Sequence, residues 1–194
     1  MSRSKTSSAA SLGEIFFRFR DYTPIPLILF LFMLAQPTVF SASLGLASIF
    51  LGEFVRVYSV SFIGSKSRTR GKGTGDKLIQ EGPYSLSRNP LYLGNFLISM
   101  GFACYSGRFW FLVLAGALFF VQYYYIIQFE EETLKDKFGK EYETYSKKVP
   151  QLLPKSFPKL EKLPMPENFF ASLRTEKRTL TTILLLWILL IVFS

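Results

Sequence analysis

Histidine is absent from all 194 residues, which removes the commonest general base and the commonest metal ligand together. Cysteine is nearly as scarce. Cys104 is the only one, so no intrachain disulfide forms and no thiolate zinc site is expected. It lies in an apolar run, where a small buried hydrophobe is the default reading. Acidic residues are outnumbered, 14 Asp+Glu against 23 Lys+Arg, for a formal net charge of +9. Such basicity can mark a nucleic-acid binder. Here the basic residues gather between apolar runs, as they do around membrane spans, and anionic lipid headgroups are the more natural counterion. Neither nucleic acid nor a metal is expected as a partner. Met1 to Ala10 is polar and Ser-rich, without the pattern of a signal peptide.

What the chain has in plenty is apolar sequence: 49% hydrophobic residues and 21 Phe. The runs are short against the ~20 residues a span usually needs. The first is Pro24–Ala35, ended by Gln36-Pro37, which reads as the tip of a helical hairpin. The second starts at Thr38 and continues past Gly52 through Glu53 and Arg56 to Ile63. The third and fourth, Leu91–Tyr105 and Phe109–Ile127, meet across Ser106-Gly107-Arg108, and the last is Ile183–Phe193. The expectation is an all-α polytopic membrane protein of about five spans, in two short hairpins plus a C-terminal span. Its organisation is expected as an arm and interfacial segment over 1–23, a core over 24–154, a Pro-rich linker over 155–178 and a terminal helix over 179–194. Residues 1–13 are expected to be disordered. Glu14–Asp21, with aromatics between arginines, suits either an interfacial segment or a continuation of the first helix.

Basic residues decide the orientation. The N-terminal arm holds four Lys/Arg, the 64–90 loop six and the 128–178 segment eleven, against Arg108 alone at the two hairpin tips. The positive-inside rule then places the N-terminus, the loop and the long segment on the cytoplasmic side. Glu53 and Arg56, three apart, share a helix face and are able to pair. Ionisable groups at that depth are functional candidates, or else an interfacial ion pair.

Gly71-Lys-Gly73-Thr-Gly75 invites a nucleotide-loop reading, but no hydrophobic strand precedes it. It is better read as a basic loop. More informative is the stretch from Leu78 to Gly94. Gly82-Pro83 marks a turn and Pro90 suits the first turn of a helix. Arg88 then stands just before a helix N-terminus, where orphan N–H groups and a guanidinium fork form an anion site. Tyr84 and Tyr92 offer ring faces to a cation or an adenine. Past the fourth run, Glu130-Glu131-Glu132 puts three carboxylates together. A solvated helix with i,i+4 pairs accounts for the residues beyond them; a cationic ligand accounts for the clustering.

Taken in order, Gly82-Pro83-Tyr84, Arg88-Asn89-Pro90, Tyr92, Gly94, a helical hairpin, Glu130-Glu131, Leu134, Phe138-Gly139, Tyr142, Tyr145, Val149 and Pro154 resemble the integral membrane methyltransferases. That family includes isoprenylcysteine carboxyl methyltransferase and phospholipid N-methyltransferases. The likeness runs from Leu78 to Pro154; Gly52-Glu53 with Arg56, and Ser67 to Arg70, look more weakly like bacterial members. The resemblance implies S-adenosylmethionine as donor, held among helix ends and the cytoplasmic segment. Carried over by position, Leu78, Gly82, Pro83, Tyr84, Arg88, Asn89, Pro90, Tyr92 and Gly94 would contribute to that pocket. Glu130 or Glu131 would hold the donor's amino group, and Tyr142, Tyr145 and Val149 would close over it. Arg88, Glu131 and Arg56 are the catalytic candidates. Asn89 stands where more familiar members have His, and it cannot titrate near neutral pH. The acceptor implied is lipid-borne or hydrophobic, an isoprenylcysteine-like carboxylate or a phospholipid amine. A small thiol and a non-catalytic lipid-binding scaffold are the alternatives.

Overall fold

A computed structural model describes residues 8–63, 77–155, 164, 166 and 169–193. Ser67 to Arg70 and the glycine-rich stretch at 71–75 lie outside the described residues. Among those described, the structure is all-helical: α1 Ser8–Phe19, α2 Ile25–Leu34, α3 Val39–Ile63, α4 Pro90–Tyr105, α5 Phe109–Phe138, α6 Lys140–Lys148 and α7 Phe169–Phe193, with a 3-10 turn at Gly82–Ser85. Two of these, α3 and α5, are long and apolar enough to cross a membrane.

Both turns fall where expected, and α4 and α5 pack together as a hairpin. Pro37 ends the first arm, and the Gln36 N–H bonds the Ser106 carbonyl at 2.9 Å, so the two tips sit together at one end. Arg108 Nε donates 2.8 Å to the Leu34 carbonyl, satisfying an orphan acceptor at the end of α2.

The arm before the first tip departs from expectation. Residues 8–13, expected disordered, are helical, while 1–7 lie outside the described residues. α1 and α2 form a broken rod that runs antiparallel to α5. Phe16 stacks on Tyr125 and Phe17 meets Phe129, the Thr23 hydroxyl donates 2.9 Å to Gln122 Oε1, and Leu31 packs with Phe111 and Ala115. The order of α1 comes from α5: a Cβ on Gly13 would meet the Tyr125 carbonyl at 2.2 Å, so the two backbones are in near contact. α5 also outruns its apolar stretch, reaching Phe138, where Gly139 ends it at φ 53°. α7 begins at Phe169, ten residues ahead of the expected start at 179. Ser172 and Glu176 are buried on it, so a packed face extends the helix into the charged segment.

The tightest packing joins α3 to α4. Gly45 lies against Gly101 and Gly52 against Gly94: a Cβ on Gly101 would meet the Gly45 carbonyl at 2.6 Å, and one on Gly94 the Gly52 carbonyl at 2.7 Å. Small residues in register allow two helices to close to backbone contact, where dispersion contacts accumulate without relying on water. Ser48 adds a hydrogen bond of 2.8 Å to the Leu97 carbonyl. The exposed surface is correspondingly apolar, with Phe40, Phe50, Phe54, Phe109 and Trp110 among many large exposed hydrophobics.

The Gly101→Ala variant should therefore lower stability by about 1–3 kcal/mol through overpacking. Gly116→Ala, whose new methyl would touch only the Met100 thioether at 3.7 Å, should be neutral or stabilising. Thermal unfolding of the two proteins in detergent checks the contrast.

Candidate active site

At the end opposite the hairpin tips, three chain segments converge: the 3-10 turn with the residues leading into α4, the last turns of α5, and α6 with its exit. Gly82 opens the turn at φ 58° beneath the Phe62 ring, where a Cβ would lie 2.5 Å from ring carbons, so the left-handed conformation and the space both require glycine. Pro90 occupies the first turn of α4 and Asn89 the position before it.

Arg88 is the centre of this junction. Its Nε and Nη2 donate to Glu131 Oε1 and Oε2, each at 2.9 Å, a bidentate fork. Its Nη1 donates to the carbonyls of Ser146 and Val149 at 2.7 and 2.8 Å, the acceptors that the end of α6 leaves unpaired. Its backbone N–H bonds the Pro150 carbonyl. One side chain thus joins α5, the last turn of α6 and the strand-like exit after it to the start of α4. Burial works against the Arg88 charge, but the hydrogen bonds and charge of Glu131 outweigh it and hold the pKa above the ordinary arginine value.

Glu131 is fully engaged. Besides Arg88, its Oε1 accepts Asn89 Nδ2 at 3.3 Å and its Oε2 accepts Gln151 Nε2 at 3.2 Å. Four donors fill the sites a carboxylate offers. Asn89 also donates 3.0 Å to the Gln151 carbonyl. Its task is to hold two acceptors, and a neutral amide does this at any pH. The substitution at the usual His position therefore leaves the junction complete.

Below the junction, Leu78, Tyr142 and Tyr145 form a buried cluster with Leu134, Phe138 and Val149 at its edge. The Tyr145 hydroxyl donates 2.6 Å to the Tyr84 carbonyl. Burial is the main cause that pushes the hydroxyls of Tyr84, Tyr142 and Tyr145 well above the usual tyrosine range, so all three are neutral at physiological pH. The Tyr142 hydroxyl lies near Glu131 but closes no hydrogen bond among the described residues.

A cleft of about 330 Å³ opens beside this junction, lined by Arg88, Gln128, Glu131, Glu132, Lys135, Tyr142, Glu143 and Ser146. Its volume is at the low end for a small-molecule site. It carries charge of both signs and one unpartnered buried hydroxyl, features suited to a zwitterionic ligand. Among the residues expected to line a pocket, Arg88, Glu131 and Tyr142 do so. Asn89 and Val149 support them from behind, and Leu78, Gly82, Pro83, Tyr84, Pro90 and Tyr145 build the surrounding shell.

Four expected residues, Tyr92, Gly94, Arg56 and Glu130, are turned elsewhere. Tyr92 packs its ring on Tyr123 at 4.9 Å and its hydroxyl pairs with Glu130, inside the bundle. Gly94 lies in the α3–α4 contact against Gly52 and Arg56. Arg56 is buried among α3, α4 and α7 and does not line the cleft. Its Nε lies 3.5 Å from Glu53 Oε2, so the anticipated pair forms. Adjacent carboxylates on a helix point about 100° apart, which is why Glu130 and Glu131 part company: one faces the core, the other the cleft. Glu132, Lys135, Glu143, Gln128 and Ser146 were not singled out as site residues. Glu132 was signalled by the acidic triplet; the others had no signal beyond a polar helix face.

The phospholipid methyltransferase family model matches residues 40–141, just over half of the chain. The chain belongs to the phospholipid methyltransferase family. The matched span runs from the start of α3 into α6 and takes in Arg88, Asn89, Glu130 and Glu131; α7 lies beyond it. None of the curated proteins compared with this methyltransferase matches it significantly.

Asn89→Asp removes the donor to Glu131 and sets a second carboxylate against it. Thermal stability should fall by about 1–3 kcal/mol. The neighbouring negative charge raises the new carboxyl's folded pKa, so the deficit should shrink as pH falls through the carboxylate range and grow as pH rises through it. A pH series of thermal melts, with Asn89→Ser as the uncharged control, checks both sign and size.

Proposed function

We propose that this member of the family is a multi-pass membrane methyltransferase that uses S-adenosylmethionine and acts on a lipid-borne or hydrophobic acceptor. The observation that carries the reading is the cleft. It combines charges of both signs with an unpartnered Tyr142 hydroxyl, beside a helix N-terminus, and Arg88, Gln128, Glu131, Glu132 and Lys135 of its lining fall within the family match.

S-adenosylmethionine supplies a methyl group already activated on a sulfonium, so no metal or redox partner is called for. The residues' work is positioning and exclusion of water. The Arg88–Glu131 pair forms the floor of the cleft. Because Glu131 already answers four donors, the ammonium of the donor falls to Glu132 and its carboxylate to the Tyr142 hydroxyl, while Glu143 and Lys135, paired with each other at 3.3 Å, exchange that exposed pair for the donor's two charges. An acceptor carboxylate needs no base. A phospholipid amine must first lose a proton, and Glu132 is the better-placed acceptor, since the oxygens of Glu131 are already occupied by Arg88, Asn89 and Gln151.

In this reading the α1–α2 rod, α3, α4, α5 and α7 make five crossings, with the cleft on the cytoplasmic side by the distribution of Lys and Arg. The polar donor enters from the cytoplasm and the acceptor sideways from the bilayer. A non-catalytic lipid-binding scaffold shares the basic loops but has no use for the donor.

The purified protein should bind S-adenosylmethionine and transfer its labelled methyl to one fraction of a total lipid extract or to a prenylcysteine analogue. Glu132→Gln with Lys135→Met should weaken donor binding at least tenfold, roughly the loss of one charge-assisted contact. Absence of both donor binding and label would overturn the enzymatic reading in favour of the scaffold.

A further inference from the structure

The bundle interior holds a second polar assembly, remote from the cleft lining. Arg56 on α3 is its hub. Nη2 donates 2.8 Å to Glu176 and reaches Thr179 Oγ1 at 3.4 Å, both on α7, while Nη1 bonds Asn95 Oδ1 on α4. Asn95 Nδ2 in turn donates 3.1 Å to the Tyr123 hydroxyl on α5. The Tyr123 ring packs edge-on against Tyr92 at 4.9 Å, and the Tyr92 hydroxyl pairs with Glu130, one residue from the clamp on Arg88. The chain of contacts runs from the C-terminal helix to the underside of the junction.

Such an assembly is costly to bury and gains little stability over a well-packed apolar substitute. What it supplies is geometry: four helices fixed at one register by directional bonds. Glu176 is fully buried with its carboxylate on Arg56, which ties α7 to α3. Farther along, Trp187 on α7 packs against Tyr105 at 5.0 Å, and Leu190 completes the same face.

We propose that Arg56 is a positioning residue for methyl transfer: it latches α7 to α3 and α4 and, through Asn95 and Tyr123, sets the placement of Tyr92 and Glu130 beneath the cleft. This rests on the methyltransferase reading above. It touches neither the cleft nor anything bound there, so its loss lowers turnover while leaving donor affinity intact.

The experiment uses the full-length protein in lipid nanodiscs and two readouts. Emission of Trp187, in a Trp110→Phe background, reports docking of α7; kinetics with labelled donor report kcat and donor KM. Arg56→Gln should red-shift the emission, and Arg56→Lys should restore part of it. Tyr123→Phe removes only the hydroxyl that Asn95 bonds and keeps the ring that stacks on Phe119 at 4.0 Å. It should leave the emission unchanged yet lower kcat roughly 10- to 100-fold, the scale of a small misplacement transmitted from a distance, with donor KM within about twofold. If Arg56→Gln fails to fold, Tyr123→Phe and Asn95→Leu carry the test alone. Unchanged kcat in both, with wild-type protein active, overturns the positioning role and leaves the methyltransferase reading standing. Wild-type protein that neither binds the donor nor transfers its methyl overturns both.

Discussion

Arg88 and Glu131 lie 43 positions apart in the chain and meet in a two-bond fork at 2.9 Å, each side chain nearly enclosed by protein. Everything at that end of the molecule is arranged around the pair. Removing both ions from water costs several kcal/mol each, and the cost is recovered only because most of the remaining hydrogens and lone pairs find partners. Arg88 spends its other amino group on two carbonyls at the exit of α6; Glu131 accepts Asn89 and Gln151. A short polar helix such as α6, Lys140–Lys148, has little apolar surface of its own to bury. It is held by Tyr142 and Tyr145 beneath and by Arg88 at its end. The cleft is the space left between these fixed parts.

That junction needs a rigid base, which the α3–α4 contact provides. Gly45, Gly52, Gly94 and Gly101 bring the two backbones within side-chain-free range, and α4 begins at Pro90, immediately after Arg88 and Asn89. Any slip of α4 along α3 would move Arg88 relative to Glu131. Glycine packing at one level and the charge clamp at the other are thus two ends of one constraint. The buried Arg56 assembly lies between them and extends the same constraint to α7.

Features governed by neighbours in the chain were legible beforehand. Both hairpin tips, the helix start at Pro90 and the pairing of Glu53 with Arg56 follow from turn chemistry and spacing; Arg88 and Glu131, each expected to hold an end of a ligand, instead hold each other. Features governed by remote partners were not. The order of α1 depends on Tyr125 and Phe129 of α5, and the extra turns of α7 depend on Glu176 finding Arg56 across 120 positions. The motif offered both Glu130 and Glu131 to the donor's amino group, and only the helical rotation between them assigns one to the core and the other to the cleft. Gly94 and Tyr92 belong to the same motif yet serve packing, because a motif records which residues go together without saying which of them face the ligand. The role of Asn89 was legible as a departure from the family pattern, and its consequence was visible only once its two acceptors were in place.

Arg88 and Glu131 act as one unit that builds the cleft. A double-mutant cycle with Arg88→Gln and Glu131→Gln, read by thermal stability and by S-adenosylmethionine affinity, tests it most directly. A coupling of about 2–3 kcal/mol is expected, at the upper end for contacting residues, with each single variant losing nearly as much as the double. Losses that add to within about 0.5 kcal/mol would show that the two side chains work independently and would contradict it.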